Sequence, residues 1–522
     1  MRRPAGGRPS ATSSHAPSAR LPRHASGCQD HSLAVCAGSR PLPYSHCARS
    51  KMGRDMRRTT MRGYAVAGLL GLVPFTAVWP AGPVAAATVG VTATVADGTL
   101  DVSSDGANSD DITVSGPVTD AAGSWVTVES RHGILPQAGC QVTDPRHVRC
   151  GTDAFTRIVV SSGDGADRVT VETNMPTVVH GGDGSDGLFD RAGNNELWGD
   201  GGPDTLYGGA GNDSLYGGDD YDALYGNAGD DVMDGGRGGD FFYADAGQDG
   251  ADVMRGGADA DDLVDYSRRS ASVTVTLDGV ANDGAAGEND LVGADVDYIW
   301  GGQGDDRLIG NDRTNWISGR FGNDHVEGLG GDDIVWGGNG DDHVDGGDGD
   351  DGVHGGYGKD VVLGGAGNDR LTPGDYETGS PDTSVDVYNG GPGTDVLDYA
   401  SSPRGVTVRL DGVANDGTSG ETDNALELEN LEGSRAGDTL IGDGGANRIK
   451  GAGGDDVIDG GSGSDVLNGG DGRDQLRAVD GVGNQDRVDG GSRENTEKDN
   501  DGCEVDPDDV VSNCAQQSIK HP

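Results

Sequence analysis

The chain has 522 residues, with 96 glycines, 88 acidic residues, 38 basic residues and a formal net charge of −50. Only 33% of it is hydrophobic and 5% aromatic, which excludes an ordinary globular core and leaves such a chain largely disordered without counter-charge. Up to residue 87 there are 12 basic and 2 acidic residues, a net +10, and from residue 88 there are 26 basic and 86 acidic, a net −60; this excludes nucleic acid as a partner of the downstream part and suits one that is neutralised by divalent cations.

Residues 1–53 are basic and rich in Ser, Pro, Ala and Arg, with no periodicity. They read either as a disordered extension or as an upstream start, with Met52, Met56 and Met61 as alternative starts. Cys28, Cys36 and Cys47 lie here without metal-ligand spacing. Residues 54–87 read as an export signal. Arg54, Arg57, Arg58 and Arg62 precede the apolar run 65–78, and Ala85, Ala86 and Ala87 offer a cleavage site. The run is too short to span a bilayer and contains Pro74, so the expected product is extracellular and not membrane-spanning. Arg57 and Arg58 suggest a twin-arginine route, but their neighbours fit it poorly.

In residues 88–180 glycine thins out and short alternating runs appear, such as Val91–Val95, Ile112–Val114, Val126–Val128 and Ile158–Val160. These predict an N-terminal β cap of short strands between turns. Cys140 and Cys150 flank a Pro-containing turn and are expected to pair in an exported chain.

A nine-residue pattern then takes over, G-G-x-G-x-D-x-U-x, where U is apolar. In the first array, 181–264, position 6 holds Asp186, Asn195, Asp204, Asp213, Asp222, Asp231 and Asp240, and Asp262 after a break in phase. Asn195 brings only a neutral carbonyl, so a cation site there is expected to be weak or absent. Residues 265–300 form an inserted strand-loop block. It recurs in 399–432, where the strand and acidic loop VTVTLDGVANDGAAGEND match VTVRLDGVANDGTSGETD at an offset of 133. Each copy predicts one strand and a loop that either binds Ca²⁺ or caps the coil edge.

The second array, 301–398, carries Asp306, Asn315, Asp324, Asp333, Asp342, Asp351, Asp360, Asp369 and, after a loop, Asp395. The third, 433–477, carries Asp438, Asn447, Asp456, Asp465 and Asp474. Residues 478–522 are polar and read as a C-terminal cap or tail, where Cys503 and Cys514 are placed to form a second disulfide. The repeat is cleanest in 337–372: GGNGDDHVD, GGDGDDGVH, GGYGKDVVL, GGAGNDRLT.

These residues resemble the RTX, or haemolysin-type, calcium-binding repeat family. The resemblance implies an all-β fold, a parallel β-roll or β-helix solenoid, with Ca²⁺ in its turns. The spacing supports this independently. A glycine turn followed by a short strand makes half a coil, so residues 18 apart stack at about 4.8 Å. Stacked carboxylates repel unless a cation lies between them, and Ca²⁺ takes six to eight oxygens from carboxylates and carbonyls. The expected ligands are the position-6 aspartates together with turn carbonyls at positions 2 and 4, Gly338, Gly340, Gly347, Gly349, Gly356, Gly358, Gly365 and Gly367.

No zinc-protease, nucleophile-elbow or phosphate-loop signature occurs, so the chain reads as non-enzymatic. Glu497, Asp499, Asp501, Gly502 and Asp508 mimic an EF-hand loop, but its end residues are swapped and no helix pattern flanks it. His325 and His343, one coil apart, are either a transition-metal pair or two solvated rings. Tyr207, Tyr225 and Tyr243, all at position 9, are either an exposed platform for sugar rings or a cross-strand ladder. The leading expectation is a secreted calcium-binding solenoid that folds on binding Ca²⁺. The rival is an extracellular adhesin with a cell-surface or glycan partner, using the roll as a rigid spacer.

Overall fold

The structure, a computed structural model, describes residues 90–520 except 105, 107–108, 260, 375–383, 482–483 and 492–500. The extension, the export signal and the three upstream cysteines lie outside the described residues. Those described are all-β, with a single 3-10 turn, Thr152–Ala154.

Each repeat ends in a strand because its last three residues alternate. The position-8 side chain points inward and its neighbours point out, as in Thr205–Ala210 and Ala223–Ala228. Successive strands of one face pair in parallel at the 18-residue register: Leu206 faces Leu224, and Val335 faces Val353. Leu188, Leu197, Leu206, Leu215 and Leu224 are fully buried, as are Val326, Val335, Val344, Val353 and Val362. The core is therefore a narrow column with one apolar residue per repeat. Each contributes about 1.5–3 kcal/mol.

The two faces of the solenoid differ. One is a parallel sheet that runs without interruption from Arg168–Glu172 to Val510–Ser512. The other is divided into three sheets, and the duplicated blocks make the divisions. In the first block, Val273–Thr276 opens the second sheet, while Leu291–Val292 turns back to close the first. In the second block, Val406–Arg409 opens the third sheet and Asn424–Leu426 closes the second.

At the N-terminal end, Thr99–Ser104 and Asp111–Asp120 belong to antiparallel hairpins and also pair in parallel with Arg157–Ser161 and Arg168–Glu172. Coil stacking thus starts before residue 181, where the repeat pattern is still faint. At the other end the polar stretch continues the solenoid. Arg487–Asp489 and Gly502–Val505 extend the two faces, and Val488, Cys503 and Val505 fill the core. Cys140 pairs with Cys150 and Cys503 with Cys514, as the spacing predicts.

Coil contact depends on glycine at the turn. Gly340 has φ +141°, and a Cβ there would lie 1.7 Å from the Gly322 carbonyl oxygen of the coil before. Gly352, at the outward position 7, has no atom nearer than 3.8 Å to such a Cβ. Gly340→Ala is therefore expected to cost at least about 2 kcal/mol, through strain and coil displacement. Gly352→Ala is expected to stay within about 0.5 kcal/mol of the parent or to stabilise slightly. Urea midpoints in saturating Ca²⁺ check the pair, and equal midpoints for the two variants would contradict the stacking.

Candidate metal sites

The position-6 aspartates stand at the turn leading into each strand, and their two oxygens have different surroundings. Oδ1 accepts the backbone N–H of the position-6 residue one coil earlier. Asp342 N–H donates to Asp360 Oδ1 at 2.9 Å, Asp333 to Asp351 at 2.7 Å, and Asp351 to Asp369 at 2.9 Å. The same ladder joins Asp186 to Asp204, Asp204 to Asp222, and Asp222 to Asp240. Residues 18 apart do stack, but through a carboxylate-to-amide bond that occupies half of each carboxylate.

Oδ2 is buried and has no hydrogen-bond partner at Asp186, Asp204, Asp213, Asp222, Asp231, Asp240 and Asp262. The same is true at Asp324, Asp333, Asp342, Asp351, Asp369, Asp395, Asp456 and Asp465. It points over the position-1 glycine. A Cβ on Gly337 would meet Asp342 Oδ2 at 2.6 Å and the Gly355 carbonyl oxygen at 2.4 Å. At Gly346 both Asp351 Oδ2 and the Gly364 carbonyl lie 2.5 Å away. Each such space is an oxygen-lined cradle. Burial pushes the carboxyls up, with neighbouring aspartates adding to the shift: to about 8 for Asp213, Asp222 and Asp324, and to about 6 for Asp351 and Asp369. A buried ionised oxygen without a partner costs several kcal/mol, so this fold calls for a proton or a cation at each one.

Asp360 and Asp474 occupy the same rungs over Gly355 and Gly469. Asp306 and Asp438 differ. Each opens a ladder after a duplicated block, and both oxygens are bonded: Asp306 to the N–H groups of Val273 and Gly302, Asp438 to those of Val406 and Ser434 and to the Ser434 hydroxyl. Asn315 and Asn447 are closed in the same way by Asn311 and Asp443, while their amides donate to the Asp297 and Glu429 carbonyls.

In most repeats the carbonyl that lines the cradle belongs to the position-1 glycine one coil on, a donor not among those expected from positions 2 and 4. The named turn glycines, Gly338, Gly340, Gly347, Gly349, Gly356, Gly358, Gly365 and Gly367, all have positive φ. At each, a Cβ would strike the carbonyl of the same position one coil earlier. Their carbonyls therefore form columns along the solenoid, beside the cradles.

The ladder also runs through residues the repeat phase misses. Asp231 N–H donates to Asp252, Asp252 to Asp290, Asp360 to Asp386, Asp395 to Glu429, and Asp465 to Asp486. Insertions hide these rungs from an 18-residue count. A shorter signal, an acid two residues before an inward apolar residue, finds them. Asp501 is one of them, since it accepts Asp474 N–H and Gly502 begins a strand. That pair serves the solenoid rather than an EF-hand loop; Glu497 and Asp499 lie outside the described residues.

In the duplicated loops one aspartate closes the sheet ends. Asp283 accepts from Thr276 and Val292, and Asp416 from Arg409 and Ala425. In the first copy the buried Arg269 also pairs with Glu288 and Asp249.

His325 and His343 stack at 4.9 Å, with His325 bonded to Glu327. Tyr207, Tyr225 and Tyr243 stack at 4.2 and 4.4 Å, so the rings cover one another's faces. A second column, His180, Trp198 and Tyr216, stands on the opposite face. Among the described residues no three His, Cys, Asp or Glu side chains form a metal cluster; the donors found are one carboxylate per repeat and backbone carbonyls.

The family model described as RTX calcium-binding nonapeptide repeat (4 copies) matches repeatedly within 180–264, 291–371 and 432–476. No curated protein matches the chain.

Two predictions follow from the oxygen geometry. Asp351→Ala should lower bound Ca²⁺, whereas Asp306→Ala, whose oxygens are already bonded, should not; calcium-binding isotherms compare them, and equal losses would count against the cradle assignment. The raised carboxyls also fix a pH dependence for the ion-free fold. Groups whose folded pKa lies above the ordinary value near 3.8 stabilise the fold fully below that value. They lose this contribution as pH rises through about 6–8. In chelator the chain should therefore gain β signal on acidification from pH 8 to pH 5, read by circular dichroism; a β signal that falls on acidification would contradict the burial.

Proposed function

Because the chain carries RTX calcium-binding nonapeptide repeats in three segments, we propose that it is a secreted calcium-binding β-roll protein, without catalytic machinery, that folds on meeting Ca²⁺ outside the cell. The observation that carries this reading is the recurring buried Oδ2 with no hydrogen-bond partner, set beside a glycine carbonyl. A hard cation that prefers six to eight oxygens fits that donor set.

In this reading the arrays 181–264, 301–398 and 433–477 hold the ions, and the blocks 265–300 and 399–432 join them. The position-6 aspartates of the arrays contribute Oδ2, and position-1 carbonyls with the turn glycines complete the shell. Asp306 and Asp438 contribute least, since their oxygens are bonded to the chain. Bound Ca²⁺ supplies the positive charge that the buried carboxylates lack. The chain itself keeps Oδ1 on the ladder, keeps Oδ2 aimed over glycine and holds water out of the column.

Export is supported by the basic and apolar runs of 54–87 and by two disulfides. No helix of the described residues is long and apolar enough to cross a membrane. The tyrosine column favours a sheet-stabilising role over sugar stacking, because its ring faces are already in contact.

The test is a Ca²⁺ titration of the chelated chain at pH 8, followed by far-ultraviolet circular dichroism. β signal is expected to rise over about 10⁻⁴–10⁻³ M, the range of extracellular modules. A full β spectrum in excess chelator at that pH would refute ion-coupled folding.

A further inference from the structure

The repeat 190–198, DRAGNNELW, departs from the pattern three times: Asp190 and Arg191 stand where positions 1 and 2 have glycine, and Asn195 where position 6 has aspartate. Read alone, the asparagine removes the cation site. The structure shows that the departures at positions 1 and 6 compensate. In neighbouring repeats a Cβ at position 1 would run into the position-6 carboxylate, 2.5 Å from Asp186 Oδ2 at Gly181 and 2.3 Å from Asp204 Oδ2 at Gly199. A side chain at position 1 therefore projects into the cradle itself.

Asp190 does so without repulsion because Asn195 faces it. Asn195 Nδ2 donates to Asp190 Oδ2, while Asn195 Oδ1 stays on the ladder and accepts Thr177 N–H at 2.8 Å. Asn195 N–H in turn donates to Asp213 Oδ1 at 2.8 Å. Asp190 Oδ1 is left buried without a hydrogen bond of ordinary geometry, in a residue only 6% exposed, with the Arg191 and Ala192 amides near the carboxylate. The adjacent Arg191 pairs with Glu172. On the next coil Asp213 Oδ2 is likewise buried without a partner, and the Asp190 charge acts on the Asp213 carboxyl. Asn315 and Asn447 supply the contrast. Glycine holds position 1 in their repeats, Gly310 and Gly442, and the asparagine oxygen is closed by a backbone N–H of its own turn.

We propose that Asp190 forms a calcium site of exchanged polarity, in which the carboxylate comes from position 1 and the position-6 amide of Asn195 orients it. The inference rests on the calcium reading of the neighbouring repeats but assigns a site that the repeat pattern denies. The cation, a hard divalent ion, would be held by Asp190 Oδ1, with Asp213 across the coil step.

Native mass spectrometry of the full chain in saturating Ca²⁺ counts ions directly. Asp190→Asn is expected to carry one ion fewer than the parent, with an unchanged circular dichroism spectrum. Asp351→Ala, in an ordinary repeat, serves as the control and is expected to lose at least one. Asp190→Gly combined with Asn195→Asp restores the common residues at positions 1 and 6. It should carry the same number as the parent if the exchanged site is real, and one more if the parent holds nothing at Asp190. An extra ion in the double variant, or an undiminished count in Asp190→Asn, overturns the inference even if Asp190→Asn folds poorly. Loss from Asp351→Ala with none from Asp190→Asn leaves the calcium reading standing; loss from neither overturns both.

Discussion

A buried carboxylate with one oxygen bonded and the other bare is the constraint on which this solenoid depends. Each nine-residue repeat buries one apolar side chain, worth about 1.5–3 kcal/mol, and in most repeats one aspartate. An ionised aspartate buried without full compensation costs several kcal/mol, as much as the apolar residue contributes. On the proposed function the hydrophobic column is therefore opposed at neutral pH by the bare carboxylates, and what neutralises Oδ2 weighs on the folding free energy. A proton would do so at low pH and, on the proposed function, a cation at neutral pH, at the same atoms.

The Oδ1 ladder explains why the acids are so regularly placed. Each rung fixes a backbone N–H of the preceding coil that the strand pairing does not use, so it sets coil spacing and orients the carboxylate at once. Where the repeat lengthens, the rung persists even though the count changes: Asp252, Asp386 and Asp486 each take the N–H of an aspartate 21 or 26 residues earlier. At Asn195 the rung also persists, since Oδ1 of an amide accepts as well, whereas at Asn315 and Asn447 Oδ1 accepts an N–H of its own turn. What changes is the second oxygen, and with it the capacity for a cation. The ladder is structural, and the cradle beside it is free to vary.

The duplicated blocks show a division of labour between the faces. The continuous sheet carries the solenoid through both junctions, while the opposite sheet stops and restarts. Asp283 and Asp416 use both oxygens to tie the closing strand of one sheet to the opening strand of the next. They have no bare oxygen, since both oxygens of each accept backbone N–H groups. The copies differ in one respect: Arg269, buried between Glu288 and Asp249, corresponds at the 133-residue offset to Ser402.

The sequence by itself determined the solenoid, its coil of 18 residues, the inward apolar column and the stacking of position-6 acids. All of these follow from a fixed period, and glycine at set positions admits few other backbones. It also placed both disulfides. Only the tertiary structure decided which oxygen of each acid is bonded and which is bare, because that depends on amides one coil away. For the same reason it alone separated Asp306 and Asp438 from the other aspartates, drew Asp501 out of an apparent EF-hand loop, and showed the duplicated loops closing sheet ends. The lesson is sharpest at Asp190. Its repeat looks defective when read along the chain, yet the fold brings position 1 and position 6 to the same space, where a carboxylate from either one lines the cradle.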